Sequence, residues 1–449
     1  MTVLDVYFEA ISAPIGKLMS GSDAEMSFSY VTDELPHPIS MSLPVREEPY
    51  GDVAARGFFS NLLFENEMRD QIMQRHGLSE RDVVGLLFHL GTDCPGSISC
   101  VPEGMGAGKR PGVLSRDYDP MDGSPRIPAN LSSKTDPLSV SGDLARIMAS
   151  LRDNRCLPPD TDDPSPLAGV QGKIALTRLD DGRLALPKSG SGAPTTHILK
   201  VPRASEMTSV QREHLATRLM STIQKHPVAK TCVIGEGVLQ GLLVERFDRR
   251  IDSEHVHRIH QEDFCQALGL GARLKYERHG TPPRAFTAEA IGSLLGGTRL
   301  PGQARLAFFE ITIANILLGN SDNHAKNHAL LYTGGWPVLA PAYDVDPVLL
   351  DDVTHEMSFR IGEARMADDV NAHDLDLFLK AIGARGFTSP QERRCADLVN
   401  SALAAATALP RPAGKSLCDV IRQQAHHLSG NIGLGIPVPD FDNVPVNRP

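Results

Sequence analysis

A chain of 449 residues, 41% hydrophobic and 22% charged, has the length for two to three domains or one large two-lobed enzyme, and enough apolar residues to bury a sizeable core, which excludes wholesale disorder. A formal net charge of −10 argues against free binding to DNA, RNA or an anionic membrane, because phosphate contacts need clustered Lys and Arg. The seven cysteines are scattered with no C-x-x-C pair, so neither a disulfide framework nor a structural zinc site is expected; no basic leader precedes an apolar core, and no apolar run reaches the ~18 residues of a membrane span, so the expected location is the cytoplasm without membrane contact.

Residues 1–103 read as a first unit of mixed α/β character. Alternating stretches at Thr2–Phe8 and Met26–Tyr30 predict strands, 55–75 predicts helix, and Gly96–Val101 predicts another strand. The stretch 102–140 is rich in Gly, Pro, Ser and Asp and suits a linker or surface excursion; a short helix near 141–152 and a polar, Pro-rich run at 157–166 follow. The sequence thus divides into 1–103, a lead-in of 104–165, a nucleotide-binding part of 166–250, a mostly helical part of 251–435, and a tail of 436–449 that contains four prolines and no periodicity.

In the third part, AGVQGK (168–173) places Gly169 and Gly172 on a short turn before a strand, and Asp181-Gly182 between two alternating runs signals a hairpin. Glycines between strands let backbone N–H groups approach phosphates, although an ordinary glycine turn reads the same way. Lys200 stands in the otherwise apolar strand Thr196–Pro202, either as a snorkelling surface residue or as a phosphate ligand. Glu213 follows in a predicted helix over 210–224, where it can pair with such a lysine. The run 238–247 predicts a strand pair ending at a junction, and the backbone of Glu245–Phe247 can meet an adenine edge.

The apolar helix predicted over 304–318 stops at Gly319, a natural C-cap, and the polar knot Asn320–Asn327 follows. Asp322 and Asn327 have Asp-x4-Asn spacing, which suits a carboxylate that orients an attacking hydroxyl and an amide oxygen that binds Mg²⁺ without adding charge. Lys326 can neutralise a migrating phosphoryl group, and Asp344 can supply a second metal-binding carboxylate. The same residues are also compatible with a loop that caps helices, or with a metal hydrolase using His324 and His328, although no H-E-x-x-H is present.

Taken together, the segments SMSLPV (40–45), FFSNLLFENEMRDQI (58–72), AGVQGK (168–173), PTTHILKVP (194–202), VERFDRR (244–250), HQEDFCQALGL (260–270), KYE (275–277), SDNHAKNHALL (321–331) and AYDV (342–345) resemble the HipA-type serine/threonine kinases, the toxin halves of bacterial toxin–antitoxin pairs. The resemblance implies an α+β, two-lobed protein-kinase-like fold with an added N-terminal subdomain, with ATP and Mg²⁺ as cofactors. It implies Asp322 as the catalytic base assisted by Lys326, Asn327 and Asp344 as metal ligands, and Lys200 as the phosphate lysine. It implies Ala168, Gly169, Val170, Gln171, Gly172 and Lys173 as the phosphate loop, Glu245, Arg246 and Phe247 as the adenine hinge, and His324 and Tyr343 as nucleotide neighbours. Typical substrates of the family are aminoacyl-tRNA synthetases, and the usual partner is a small helix-turn-helix antitoxin of the HipB kind, through which alone DNA is bound. The resemblance also implies autophosphorylation and a part in persistence. The family's autophosphorylated serine falls here on Pro166, with Ser165 one residue earlier, so a regulatory phosphosite at Ser165 requires a shifted loop. A kinase of a small-molecule hydroxyl, or a co-repressor scaffold with little kinase activity, are the competing readings.

Overall fold

Alternation in the first hundred residues produces a four-stranded antiparallel sheet in the computed structural model, which describes all residues except 1, 10, 64–66, 132–136, 159, 162–171 and 410–414. Strands β1 (Val3–Phe8), β2 (Gly16–Ser20), β3 (Met26–Tyr30) and β4 (Ile98–Pro102) lie in the order β3-β2-β1-β4. The helical stretch of this region divides into α1 (Asp52–Phe59) and α2 (Glu67–His76), and α3 (Val83–Leu90) follows, with Asp82 accepting the Gly85 N–H at its N-cap. Leu4, Val6, Leu18 and Phe28 of the sheet pack with Phe58, Phe59, Leu86 and Leu87 in one core.

The Gly- and Pro-rich stretch after residue 102 is more than a linker. It carries β5 (Gly112–Val113) and β6 (Tyr118–Pro120), its isolated apolar residues Tyr118, Met121 and Ile127 are buried, and the helix expected near 141–152 follows as α4 (Gly142–Asn154). Too few apolar residues recur there to show a period, so their burial is a tertiary effect. β6 is the edge of a six-stranded sheet of order β10-β11-β9-β7-β8-β6, with β7 (Gly172–Arg178), β8 (Leu184–Pro187), β9 (His197–Val201), β10 (Thr231–Glu236) and β11 (Leu239–Glu245). Gly182, at φ 87°, makes the predicted turn between β7 and β8. Leu144, Ile147, Met148 and Leu151 of α4 cover one face of this sheet, against Ile174, Leu176, Leu199 and Val201.

Two compact units divide the chain. The first comprises residues 1–210, 230–272 and 331–336, and holds the four-stranded and the six-stranded sheet. Within it, the buried Glu262 accepts hydrogen bonds from Ser40 Oγ (2.5 Å), the Met41 N–H (3.0 Å) and the Tyr332 hydroxyl (2.5 Å), which join the N-terminal subdomain to the rest of the unit.

The second unit comprises residues 211–229, 273–330 and 337–449 and is mainly helical. The short α6 (Phe264–Ala267) lies in the first unit; here α5 (Met207–Ile223) is followed by α7 (Ala288–Gly296) and α8 (Pro301–Leu318), which lead to the polar knot, and then by α9 (Ala372–Ala381), α10 (Ser389–Thr407) and α11 (Lys415–Asn431). α7, α10 and α11 pack around α8, whose residues from Phe308 to Leu318 are all buried, as suits a helix apolar on every side. Its one buried carboxylate in that run, Glu310, is met by Arg394 of α10 at 2.6 and 2.8 Å. The tail beyond 436 is laid along this unit: Gln423 exchanges hydrogen bonds with the Val444 backbone at 2.9 and 2.7 Å, and Asn447 does so with His355 at 2.9 and 3.0 Å.

Candidate active site

In the first unit, Lys173 and Lys200 face one another directly across the β7–β9 ladder, so their side chains share the sheet face opposite α4. Gly172, one position earlier, is pressed against the end of α4: an added Cβ would lie 3.0 Å from Leu151 O and 3.3 Å from Val201 O. Ala168, Gly169, Val170 and Gln171, with Ser165, lie outside the described residues.

Glu245 ends β11 and pairs with Lys230 at 2.9 Å, while its N–H donates to Lys230 O. The Arg246 N–H donates to Thr196 O, and its buried guanidinium grips Asp248 at 3.1 and 3.0 Å and Thr195 at 3.2 Å. Arg249 closes on Asp248 at 2.6 Å, and the two guanidinium groups hold the Asp248 carboxyl far below the usual range despite burial. The side chains of this junction therefore fix its backbone, and Phe247, half-buried, follows directly.

In the second unit the polar knot is built by the end of α8. Gly319 turns the chain at φ 71°, and a Cβ there would sit 2.5 Å from Val420 Cγ1, so the position takes only glycine without rearrangement. Asn320 then returns its N–H and its Nδ2 to Asn315, and Ser321 O receives both the N–H and the Oγ of Ser358. Asp322 is held by its own carbonyl, which accepts the His324 N–H at 2.9 Å and Asn327 Nδ2 at 3.0 Å. With its donor end so tied, Asn327 presents its Oδ1 on the other side of the amide.

The Asp322 carboxylate accepts a 2.6 Å hydrogen bond from the Tyr276 hydroxyl. Its pKa is raised, chiefly by burial and further by Asp344, against the lowering effects of Tyr276 and Lys275. Burial pushes the His324 imidazole down to about 3, so it is neutral, and its Nδ1 has no hydrogen-bond partner among the described residues. Tyr343 donates to Lys326 O at 2.7 Å, and the strand segment just before it is pinned by the Ala342 N–H to Pro227 O (2.8 Å). Asp344 itself adopts φ 57°, a left-handed conformation that a non-glycine residue holds only when its surroundings impose it. Asp346, two residues on, is pushed up to about 7 by burial and by the nearby carboxylates of Glu213, Asp351 and Asp344, against Arg212, and its Oδ1 has no hydrogen-bond partner among the described residues.

The second unit thus brings together Asp322, Lys326, Asn327, His324, Tyr343 and Asp344, while Lys173, Lys200 and Glu245–Phe247 belong to the first. Glu213 falls in the second unit, unlike Lys200. Tyr276 and Asp346 are site residues that the motif spacing did not single out: Tyr276 comes from a segment 46 residues before Asp322, and only its place in KYE marked it. The crowded carboxylates fit a cation. Among the described residues no group of three or more His, Cys, Asp or Glu side chains is placed to hold a metal alone, and an Asn–Asp pair would share Mg²⁺ with phosphate oxygens and water.

A two-part chain with this sheet, helical unit and polar knot is a HipA-type fold. Residues 165–409 match the family model of the HipA-like C-terminal domain and residues 4–101 that of the HipA N-terminal domain, and the chain belongs to this family. It is 33% identical over 407 residues, 89% of its length and 90% of the other's, to Y4mE of Sinorhizobium fredii, a kinase by name. It is 26% identical over 339 residues, 73% of its length and 71% of the other's, to the serine/threonine-protein kinase toxin HipA of Shewanella oneidensis. The solved structure of HipA in the complex of the Shewanella oneidensis toxin–antitoxin system with HipB and operator DNA superposes with a TM-score of 0.73 at 23% identity, covering 96% of this chain and 97% of that one. No helix of the described residues is long and apolar enough to cross a membrane.

Proposed function

We propose that the chain is a serine/threonine protein kinase that transfers the γ-phosphoryl group of Mg-ATP to a protein hydroxyl, inhibits growth by doing so, and is held in check by a helix-turn-helix antitoxin of the HipB kind. The observation that carries this reading is the arrangement in the second unit: a half-buried Asp322 of raised pKa, an Asn327 amide with its oxygen end presented, and Asp344 in an imposed left-handed conformation beside further carboxylates. The names of the relatives support it.

In this reading Asp322 orients the acceptor hydroxyl and takes its proton, a task suited to a carboxyl whose pKa burial has raised. Asn327 Oδ1 and the Asp344 carboxylate would hold Mg²⁺, which would supply positive charge to offset that of the phosphates. Lys173 and Lys200 bind phosphate from the sheet face, and Lys326 offsets charge on the transferred group. The backbone of Glu245–Phe247 receives the adenine, and His324 and Tyr343 border the nucleotide. The acceptor protein is an aminoacyl-tRNA synthetase by analogy with the family, DNA is reached only within the antitoxin complex, and Ser165 is the proposed site of autophosphorylation.

Calorimetry with ATP tests the reading directly. Wild-type chain binds ATP in a Mg²⁺-dependent manner, whereas Asp344→Ala loses that dependence because a full negative charge leaves the cation. Unchanged Mg-ATP binding in Asp344→Ala would contradict the metal role, and ³²P recovered only in an extractable metabolite would contradict a protein acceptor.

A further inference from the structure

Asp322 has a fixed main chain, but a carboxylate on a single Cβ can still rotate, and a base is useful only with one oxygen aimed at the acceptor. The Tyr276 hydroxyl, 2.6 Å from Oδ1, supplies the hydrogen bond that orients the group. The tyrosine is itself clamped. The Arg278 guanidinium lies over its ring at 4.2 Å, His324 meets it edge-on at 5.3 Å and 83°, and His279 does the same at 5.2 Å and 72°. Its segment is bolted to the site at both ends: Lys275 O accepts the Ala325 N–H at 3.0 Å, and Glu277 grips Arg360 through its N–H at 2.6 Å and its guanidinium at 2.8 Å.

Resting on the reading of Asp322 as the base, we infer that Tyr276 is a positioning residue: its hydroxyl fixes Oδ1 of Asp322 and leaves Oδ2 as the oxygen that takes the acceptor hydroxyl. The phenol also donates to the ionised carboxylate and thereby favours the form that can accept a proton. Neither task requires contact with nucleotide, so Tyr276 should act on turnover and not on ATP affinity.

Tyr276→Phe removes one oxygen and keeps the ring that Arg278 and His324 pack against. With Mg-ATP as the probe, and phosphate transfer to the chain itself or to water as the readout, Tyr276→Phe lowers kcat by about tenfold or more while KM for ATP stays within about threefold. In nucleotide-free protein, the Tm losses of Tyr276→Phe and Asp322→Ala are less than additive in the double variant, because both remove the same hydrogen bond. Additive Tm losses would overturn the contact, and a kcat at or above wild type in Tyr276→Phe would overturn the positioning role, the latter showing that the hydroxyl obstructs the base. Turnover that survives in Asp322→Asn would defeat the functional reading instead, and the nucleotide-free Tm cycle reads the Tyr276–Asp322 contact separately from that failure.

Discussion

Asp344 stores a conflict that its substitution should expose. Its left-handed backbone costs a non-glycine residue about 1–2 kcal/mol, and its charge is set near those of Asp322 and Asp346, which it disfavours. Asn tolerates the left-handed region and carries no charge, so Asp344→Asn should equal or exceed wild type in nucleotide-free Tm while losing about a hundredfold or more in Mg-ATP turnover. Thermal melts with and without Mg-ATP check this, and a variant that melts well below wild type without nucleotide would show that the carboxylate is structural. At this scale the sequence was legible where chemistry demands fixed types at fixed spacing, as in Asp322 and Asn327. It was silent on Tyr276, because no periodicity links that residue to an aspartate 46 positions later.

At the junction of the N-terminal subdomain with the 260s, a buried carboxyl makes stability depend on pH. Burial pushes Glu262 up to about 7 from its ordinary 4.5, so the folded chain holds a proton that the unfolded chain releases. The resulting stability is fully present below about pH 4.5 and is lost as pH rises through 7. Glu262→Gln keeps the shape and cannot titrate, and it should therefore flatten the dependence of Tm on pH across that window. An unchanged slope would place the titration elsewhere. The elements with a strong period were readable from sequence: α8 and its Gly319 stop, the β7–β8 hairpin at Gly182, and β9 around Lys200 all stand as expected. The stretch after residue 102 was not, since Tyr118, Met121 and Ile127 are single apolar residues among turn formers, and only the folded sheet and α4 give them a core to enter.

For the whole molecule, the tail shows how loosely patterned sequence can still be fixed. Residues 436–449 have no period of their own, yet they satisfy Gln423, which is 1% exposed, and clasp His355 in the segment that follows Asp344. Truncation after residue 439 would leave a buried amide unpaired, at about 1–3 kcal/mol, and should lower Tm by several degrees; a truncated chain as stable as the full one would make the contacts incidental. The net charge of −10 fits a chain that meets DNA only through a partner. The central claim, that Asp322 is the base of a protein kinase, is tested most directly by mass spectrometry of phosphosites in cells expressing wild type or Asp322→Asn at equal levels. The account predicts serine or threonine phosphorylation of at least one other protein with wild type and none above background with Asp322→Asn; the same phosphosites at similar occupancy with both would contradict it.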